Sequence, residues 1–354
     1  MKQQTNQHKE IVQNPIRNGE DWQTMREACQ TDAGAFHGDI AAENLHWFNP
    51  ELNAWLTREE SGTWKGWNQQ AEVNDLLNWS PWQQALDKSQ APFYRWFVGA
   101  KTNAAFNEVD RHVLAGFGDD IAFYYEGDRW DPATNNGKGG PVQQVALSRR
   151  ELLIDSVIAA QALQDLGLAM GDRIAINMPN ILQQIIWTEA AKRLGVIYTP
   201  VFGGFSDKTL SDRIENAGAK VVITSDGASR NAEVIAFKET YTDPALDRYI
   251  SVAMAIDILS AADFDQGDSA IKTKVLAHIK QVLGNEITLS RADIMREVGS
   301  VLAKAKLGSA KTAALRAELA ERLSTSPPRV EHVVVVNHVG LADMPWSEGR
   351  DVWA

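Results

Sequence analysis

The sequence predicts an α/β fold built on a doubly wound, mostly parallel sheet, and three observations carry that expectation. Residues 173–178 (RIAINM) and 196–201 (VIYTPV) are nearly unbroken apolar runs, which suits parallel strands buried on both faces. Between them Ile181, Ile185, Ala191 and Leu194 fall roughly at helical spacing. Pro179 halts the first strand, Asn180 stands where it can cap that helix, and Gly195 ends it. The order then repeats. Ser206 caps a helix over 207–217, Gly218 closes it, and 220–224 (KVVIT) gives a third strand. A βαβαβ order with short joints and right-handed crossovers defines the class. It also sets Gly203 and Gly204 just past a strand's carboxyl end, where open α/β sheets hold their ligands. The segment 225–233 (SDGASRNAE) leaves the third strand at the same edge.

Upstream, residues 1–18 are polar and amide-rich with no periodicity, and read as a disordered tail. Seven of the chain's 12 tryptophans fall between Trp22 and Trp82. Aromatics bury large area without imposing a period, so this stretch reads as an irregular segment packed over a larger domain. A carbohydrate-binding aromatic strip is the functional alternative. Residues 90–116 set Arg95, Lys101, Asp110, Arg111 and His112 among bulky apolar neighbours, as in a partly buried connector. Strands at 121–126 and 145–147, joined by a turn-rich loop, suggest a hairpin at a sheet edge. Ser148 and Glu151 form a capping box for a helix that turns Leu152, Val157, Ala160 and Leu163 inward and stops at Gly167. Residues 251–326 are alanine-rich and helix-periodic throughout, a bundle of three or four helices, before 330–336 (VEHVVVV) returns as an apolar strand.

Composition narrows the function. At 354 residues and 44% hydrophobic the chain can bury a sizeable core. A net charge of −11 argues against nucleic acid or an anionic membrane as the main partner. Cys29 is the single cysteine, so no internal disulfide forms. The amino terminus is polar and no apolar run reaches membrane-spanning length, which reads as cytoplasmic. Catalytic signatures are missing. Ser206 lacks the flanking glycines of a nucleophile elbow, and neither GxGxxG nor GxxxxGK[ST] occurs. The seven histidines are scattered, His332 and His338 flanking a buried strand as structural residues. From the residues alone, the chain is an α/β domain with a ligand edge at 202–206 and 225–233.

The string VFGGFSDKTLSDRIENAGAKVVITSDGASRN (201–231) resembles the AMP-forming acetyl- and propionyl-CoA synthetases. GAFHGDIAAENLHWFNP, RWFVGAKTNAAFNEVDRHV, LSRRELL, MGDRIAINMPN, VEHVVVV and GRDVW match the same family in order. The resemblance covers about 22–249 and 329–354. It implies an enzyme, an acid-thiol ligase that activates a short carboxylic acid with Mg-ATP through an acyl-adenylate and passes the acyl group to CoA. It also implies that the ATP site lies beyond Trp353 in family order, so that this chain alone cannot adenylate and holds no catalytic residue or metal ligand. Domain bounds then read as a tail at 1–20 and a Trp-rich segment at 21–118 packed on the adenylation domain. A Rossmann-like subdomain at 119–250 comes next, then an all-α insertion at 251–327 and a truncated return strand at 328–354.

The resemblance implies a CoA site at Phe202, Gly203, Gly204, Arg230, Asn231, Ala232 and Glu233. Arg230 suits bidentate contacts to phosphate. Glu233 departs, for the family usually has a basic residue there. The helical insertion is a second departure, and with it the chain is similar to the ligase part of the propionyl-CoA synthases, fused enzymes acting on 3-hydroxypropionate. The implied acid is 3-hydroxypropionate, propionate or acetate, and NADPH enters only with a fused reductase module. Expected partners are these small molecules, the rest of the same polypeptide and further copies in a homo-oligomer. The alternative function is a non-catalytic binding or scaffolding half-domain. A nicotinamide-dependent oxidoreductase is disfavoured because no glycine fingerprint opens the first βα turn.

Overall fold

A computed structural model describes residues 18–59, 62–67, 72–76, 79–230, 233–247, 249–251, 269–283, 288–304, 308–324, 330–341 and 343–354. Residues 1–17 of the expected tail lie outside the described residues. Asn18 does not belong to a tail: its Oδ1 accepts from the amides of Glu20 and Asp21 and caps helix α1 (Gly19–Thr31). The described residues divide between two compact units, 1–118 and 119–354.

The tryptophan-rich unit is more regular than its sequence suggests. Helix α2 (Ala33–Asn44), capped by Asp32, is followed by strands β1 (Trp47–Asn49), β2 (Ala54–Arg58), β3 (Trp64–Trp67) and β4 (Glu72–Leu76). The four form one antiparallel sheet in chain order, and β5 (Gln84–Asp87) pairs with β6 (Arg95–Val98). Trp47 and Trp64 pack with Ala41, Ala42, Ala54 and Leu56 into a small core, and the Trp47 indole donates to the Ala41 carbonyl at 3.0 Å. The irregular reading fails because tryptophans fall on both faces of short strands and hide their period-2 pattern. The stretch read as a connector is helical at Phe106–Asp110 and Val113–Phe117, and Phe106 stacks on Trp55 with ring centroids 3.8 Å apart.

The second unit opens with β7 (Ile121–Glu126), β8 (Trp130–Asp131), β9 (Gly140–Pro141) and β10 (Gln144–Ser148). Strands β7 and β10 form the expected hairpin, but as a sheet of their own and not at the edge of a larger one. Ser148 then caps α3 (Arg149–Asp165): its hydroxyl accepts from the Glu151 amide while the Glu151 carboxylate accepts from the Ser148 amide. The inward row of α3 is Leu152, Ser156, Ala159, Ala160 and Leu163. Val157 is exposed, against expectation, because α3 packs on its neighbour through small residues along a different row.

Strand β11 (Arg173–Met178), α4 (Leu182–Leu194), β12 (Ile197–Phe202), α5 (Asp207–Ala217) and β13 (Val221–Ser225) keep the predicted order. Gly195 and Gly218 end the two helices in the left-handed conformation, at φ 71° and 59°. Ile181, extended and without a side-chain bond, stands at the head of α4, so Asn180 is not its cap. Beyond β13 come β14 (Ala228–Arg230), β15 (Glu233–Ile235), α6 (Asp243–Leu246) and β16 (Tyr249–Ser251). Helices α7 (Ser269–Leu283), α8 (Arg291–Lys304) and α9 (Ser309–Ser324) bury Val275, Ile279, Ile294, Val298, Leu302, Leu315, Leu319 and Leu323 in a core of their own. The segment is not all-α, since β17 (Thr288–Ser290) pairs antiparallel with β16. The rest of the expected insertion, residues 252–268 among it, lies outside the described residues.

The chain returns to the sheet with β18 (His332–Val336) and β19 (Asp351–Trp353), the latter not foreseen because only three residues carry it. All five strands are parallel, in the order β12-β11-β13-β18-β19. Ile174, Ile176 and Met178 face α3 and α4, while Ala175, Val222 and Val333 face α5 and α6, so the sheet is covered on both sides. The 196–201 run proves to be an edge strand, with Ile197 and Phe202 exposed.

Candidate functional site

Strands β11 and β12 lie side by side, yet the helices that come after them cover opposite faces of the sheet. The chain leaves β11 toward β12 and β13 toward β18, so the topological switch point of the sheet lies between β11 and β13. A cleft of about 260 Å³ sits past the carboxyl ends of β11 and β12, beside the segment that leaves β13. Pro179 and Asn180 from the end of β11 and Phe202, Gly203 and Gly204 from the end of β12 form one wall. Ala228, Ser229, Arg230 and Ile235 of the β14–β15 hairpin form another, with Asp128, Phe237 and Tyr241 completing it. A second, more polar chamber of about 200 Å³ adjoins it through Asp128 and Ser229 and holds Tyr125, Gln143 and His338.

Four residues singled out in the sequence, Phe202, Gly203, Gly204 and Arg230, thus meet around one cavity. Phe202 is 61% exposed and sets its ring edge-to-face against Phe205, and the Arg213 guanidinium lies 5.7 Å from the Phe205 ring centre. Glu233 does not line the cleft wall, but it is the direct cross-strand partner of Arg230 at the hairpin end. Asn231 and Ala232 lie outside the described residues.

The glycines are needed for space and not for turn geometry, since neither is among the positive-φ glycines. A Cβ on Gly203 would stand 3.0 Å from the Met178 carbonyl oxygen and 3.0 Å from the Phe237 ring. Gly203→Ala is expected to push the β12 loop away from the strand end and destabilise the protein by about 1–2 kcal/mol. Urea unfolding reads this; an unchanged midpoint contradicts it.

The loops of the cleft are fixed by a carboxylate that sequence reasoning passed over. Asp226 is fully buried directly after β13. Its two oxygens accept from the amides of Gly227, His338, Val339, Gly340 and Leu341 at 2.6–3.3 Å. Burial works to raise its pKa, but the amide bonds outweigh burial and hold the carboxyl below the usual range. Burial lowers the His338 pKa, against the pull of Asp226 and Asp128. A lone Asp in a Ser-Asp-Gly turn carries no signal for this, because four of its five donors come from 112 to 115 residues away.

Behind the cleft, Lys238 is fully buried and donates to Asp243 at 2.9 Å and to the Pro345 carbonyl at 2.6 Å, with Asp351 at 3.0 Å. Arg350 bonds both Asp243 and Asp351. This network ties β19 to the segment that carries Phe237 and Tyr241. Asn180, Asp128, Phe237 and Tyr241 were also missed as cleft residues. Asn180 and Asp128 each come after a strand's end by a residue or two, and that position was the available clue. Among the described residues no group of three or more His, Cys, Asp or Glu could hold a metal ion, and no helix is long and apolar enough to cross a membrane.

Comparison with known proteins adds the family. The profile of the AMP-binding enzymes matches residues 111–295, and that of the acetyl-coenzyme A synthetase N-terminus matches 65–107. An acetyl-coenzyme A synthetase of Mycolicibacterium smegmatis is 43% identical over 183 residues, 51% of this chain and 18% of that protein. One of Rhodopirellula baltica is 32% identical over 248 residues, 70% of this chain and 31% of that protein. One of Streptomyces coelicolor is 38% identical over 188 residues, 53% of this chain and 26% of that protein. The chain thus spans less than a third of the length of the curated relatives it matches. With the first profile matching more than half of its residues, the chain belongs to the AMP-binding enzyme family.

Proposed function

We propose that this chain is the N-terminal part of an AMP-forming acyl-CoA synthetase, and that the cleft at the carboxyl ends of β11 and β12 receives CoA. The single observation that carries the reading is the meeting of the 202–204 loop and Arg230 at one cavity. The backbone of Gly203 and Gly204, bare of side chains, gives a slender pantetheine arm a close approach, and Phe202, Ile235 and Phe237 offer it apolar walls. The Arg230 guanidinium stands at the mouth, where a nucleotide phosphate accepts its hydrogen bonds. Asn231, Ala232 and Glu233 complete the proposed set.

In the proposed reaction the acid's carboxylate attacks the α-phosphorus of Mg-ATP, and pyrophosphate leaves. The CoA thiol, giving up its proton, then attacks the acyl carbon and AMP leaves. We assign no residue here to ATP or Mg2+, and propose that adenylation needs segments the relatives carry outside the matched stretch. The acid is 3-hydroxypropionate, propionate or acetate. The helical segment α7–α9 is proposed to dock another module of a propionyl-CoA synthase, with NADPH used only by a fused reductase.

The chain with ATP, Mg2+ and any of the three acids is expected to release no acid-dependent pyrophosphate, yet to bind CoA in a calorimetric titration. Arg230→Ala is expected to weaken that binding about five- to tenfold. A chain that binds no CoA at millimolar concentration overturns the CoA assignment and favours a half-domain without that chemistry.

A further inference from the structure

Resting on that reading, we propose that Glu233 makes the site indifferent to the 3′-phosphate of CoA, so that phosphopantetheine thiols lacking it are accepted as readily. Arg230 and Glu233 are direct partners across the end of the β14–β15 hairpin. Directly opposed residues of an antiparallel pair leave the sheet on the same side, with Cβ atoms about 4.5–5.5 Å apart. The strand period gives the same answer, for Glu233 lies two residues before Ile235, and Ile235 lines the cleft. The Glu233 side chain therefore leaves the hairpin on the same side as that of Arg230, at the lip of the cleft.

Charge sets the preference among thiols. Among the described residues the charged side chains lining the cleft are Asp128 and Arg230, and Glu233 adds a second carboxylate at its lip. One cation and two carboxylates give these three groups a net charge of −1. A phosphomonoester brings about −1.5 to −2 charge at pH 7, so the attraction of Arg230 for it is cancelled by its neighbours. The uncharged pantetheine arm meets no such opposition along Phe202, Ile235 and Phe237. Discrimination then falls on the arm, and the acceptor class widens to thiols such as dephospho-CoA.

Calorimetric titration of the chain with CoA and with dephospho-CoA at low salt tests this. The two Kd values are expected to agree within about twofold. Glu233→Gln, an exposed change, is expected to tighten CoA about fivefold while moving dephospho-CoA by less than about twofold, and Glu233→Lys to widen that gap. A wild-type preference of about tenfold or more for CoA overturns the inference and leaves the CoA site standing. So does an equal shift of both ligands in Glu233→Gln. Failure of both ligands to bind overturns both the inference and the reading beneath it.

Discussion

Replacing Lys238 by methionine is expected to cost the fold about 3–5 kcal/mol. The side chain is fully buried, and its ammonium faces two carboxylates, Asp243 at 2.9 Å and Asp351 at 3.0 Å. Arg350 supplies the second positive charge, so the group is neutral as a whole. Removing Lys238 alone leaves one negative charge in excess inside the protein, and that uncompensated charge is the main cost. Burial already pushes the Asp243 carboxyl up, against the pull of Lys238 and Arg350, and without the lysine it is expected to take a proton. At Asp351 burial also works to raise the pKa, but the bonds from Arg350, Ser347 and Lys238 hold it low. Urea unfolding of the variant reads the cost, and a loss below about 1 kcal/mol would show the network to be dispensable. Lys238→Met combined with Asp351→Asn restores neutrality and is expected to recover part of the loss.

Asp226→Ala is the second large effect, about 3 kcal/mol or more. Five amides lose their acceptor at once, and those of 338–341 have no secondary structure to turn to. Asparagine is a poor rescue, since one of its two terminal atoms is a donor and would face other donors. The effect depends on pH in a definite direction. The folded-state pKa of Asp226 lies below its ordinary value. Its contribution is therefore complete above the unfolded value, about 3.9, and is lost as pH falls through the folded one. Asp226→Ala is expected to flatten the acid limb of the stability curve below about pH 4. An acid limb of unchanged steepness contradicts this. Ser229 and Arg230 sit on the loop that Asp226 pins, so CoA affinity is expected to fall with it.

The central sheet was legible because its signals are local. The unbroken run 173–178 and the helix stops Gly195 and Gly218 each report their own conformation without help from distant residues. Partnership was not legible in the same way. Edge or centre is decided by which strands meet, so Ile197 looks like core in sequence and is exposed in the fold. Asn180 suits a cap by residue type, yet Ile181 takes the position and Asn180 turns to the cleft. The glycines at 203 and 204 marked the site, but the reason for Gly203 is the Met178 carbonyl and the Phe237 ring, which no pattern near residue 203 announces. Asp226 and Lys238 are set by contacts more than a hundred residues away, and single-sequence periodicity is blind to those.

Hydrogen–deuterium exchange of the chain with saturating CoA puts the central claim to the most direct test. Protection is expected in peptides covering 201–206 and 226–241, the two walls of the cleft, and in Arg230→Ala to need about five- to tenfold more CoA for the same extent. Protection confined to other segments, or none at any concentration, would contradict a CoA cleft at the carboxyl ends of β11 and β12.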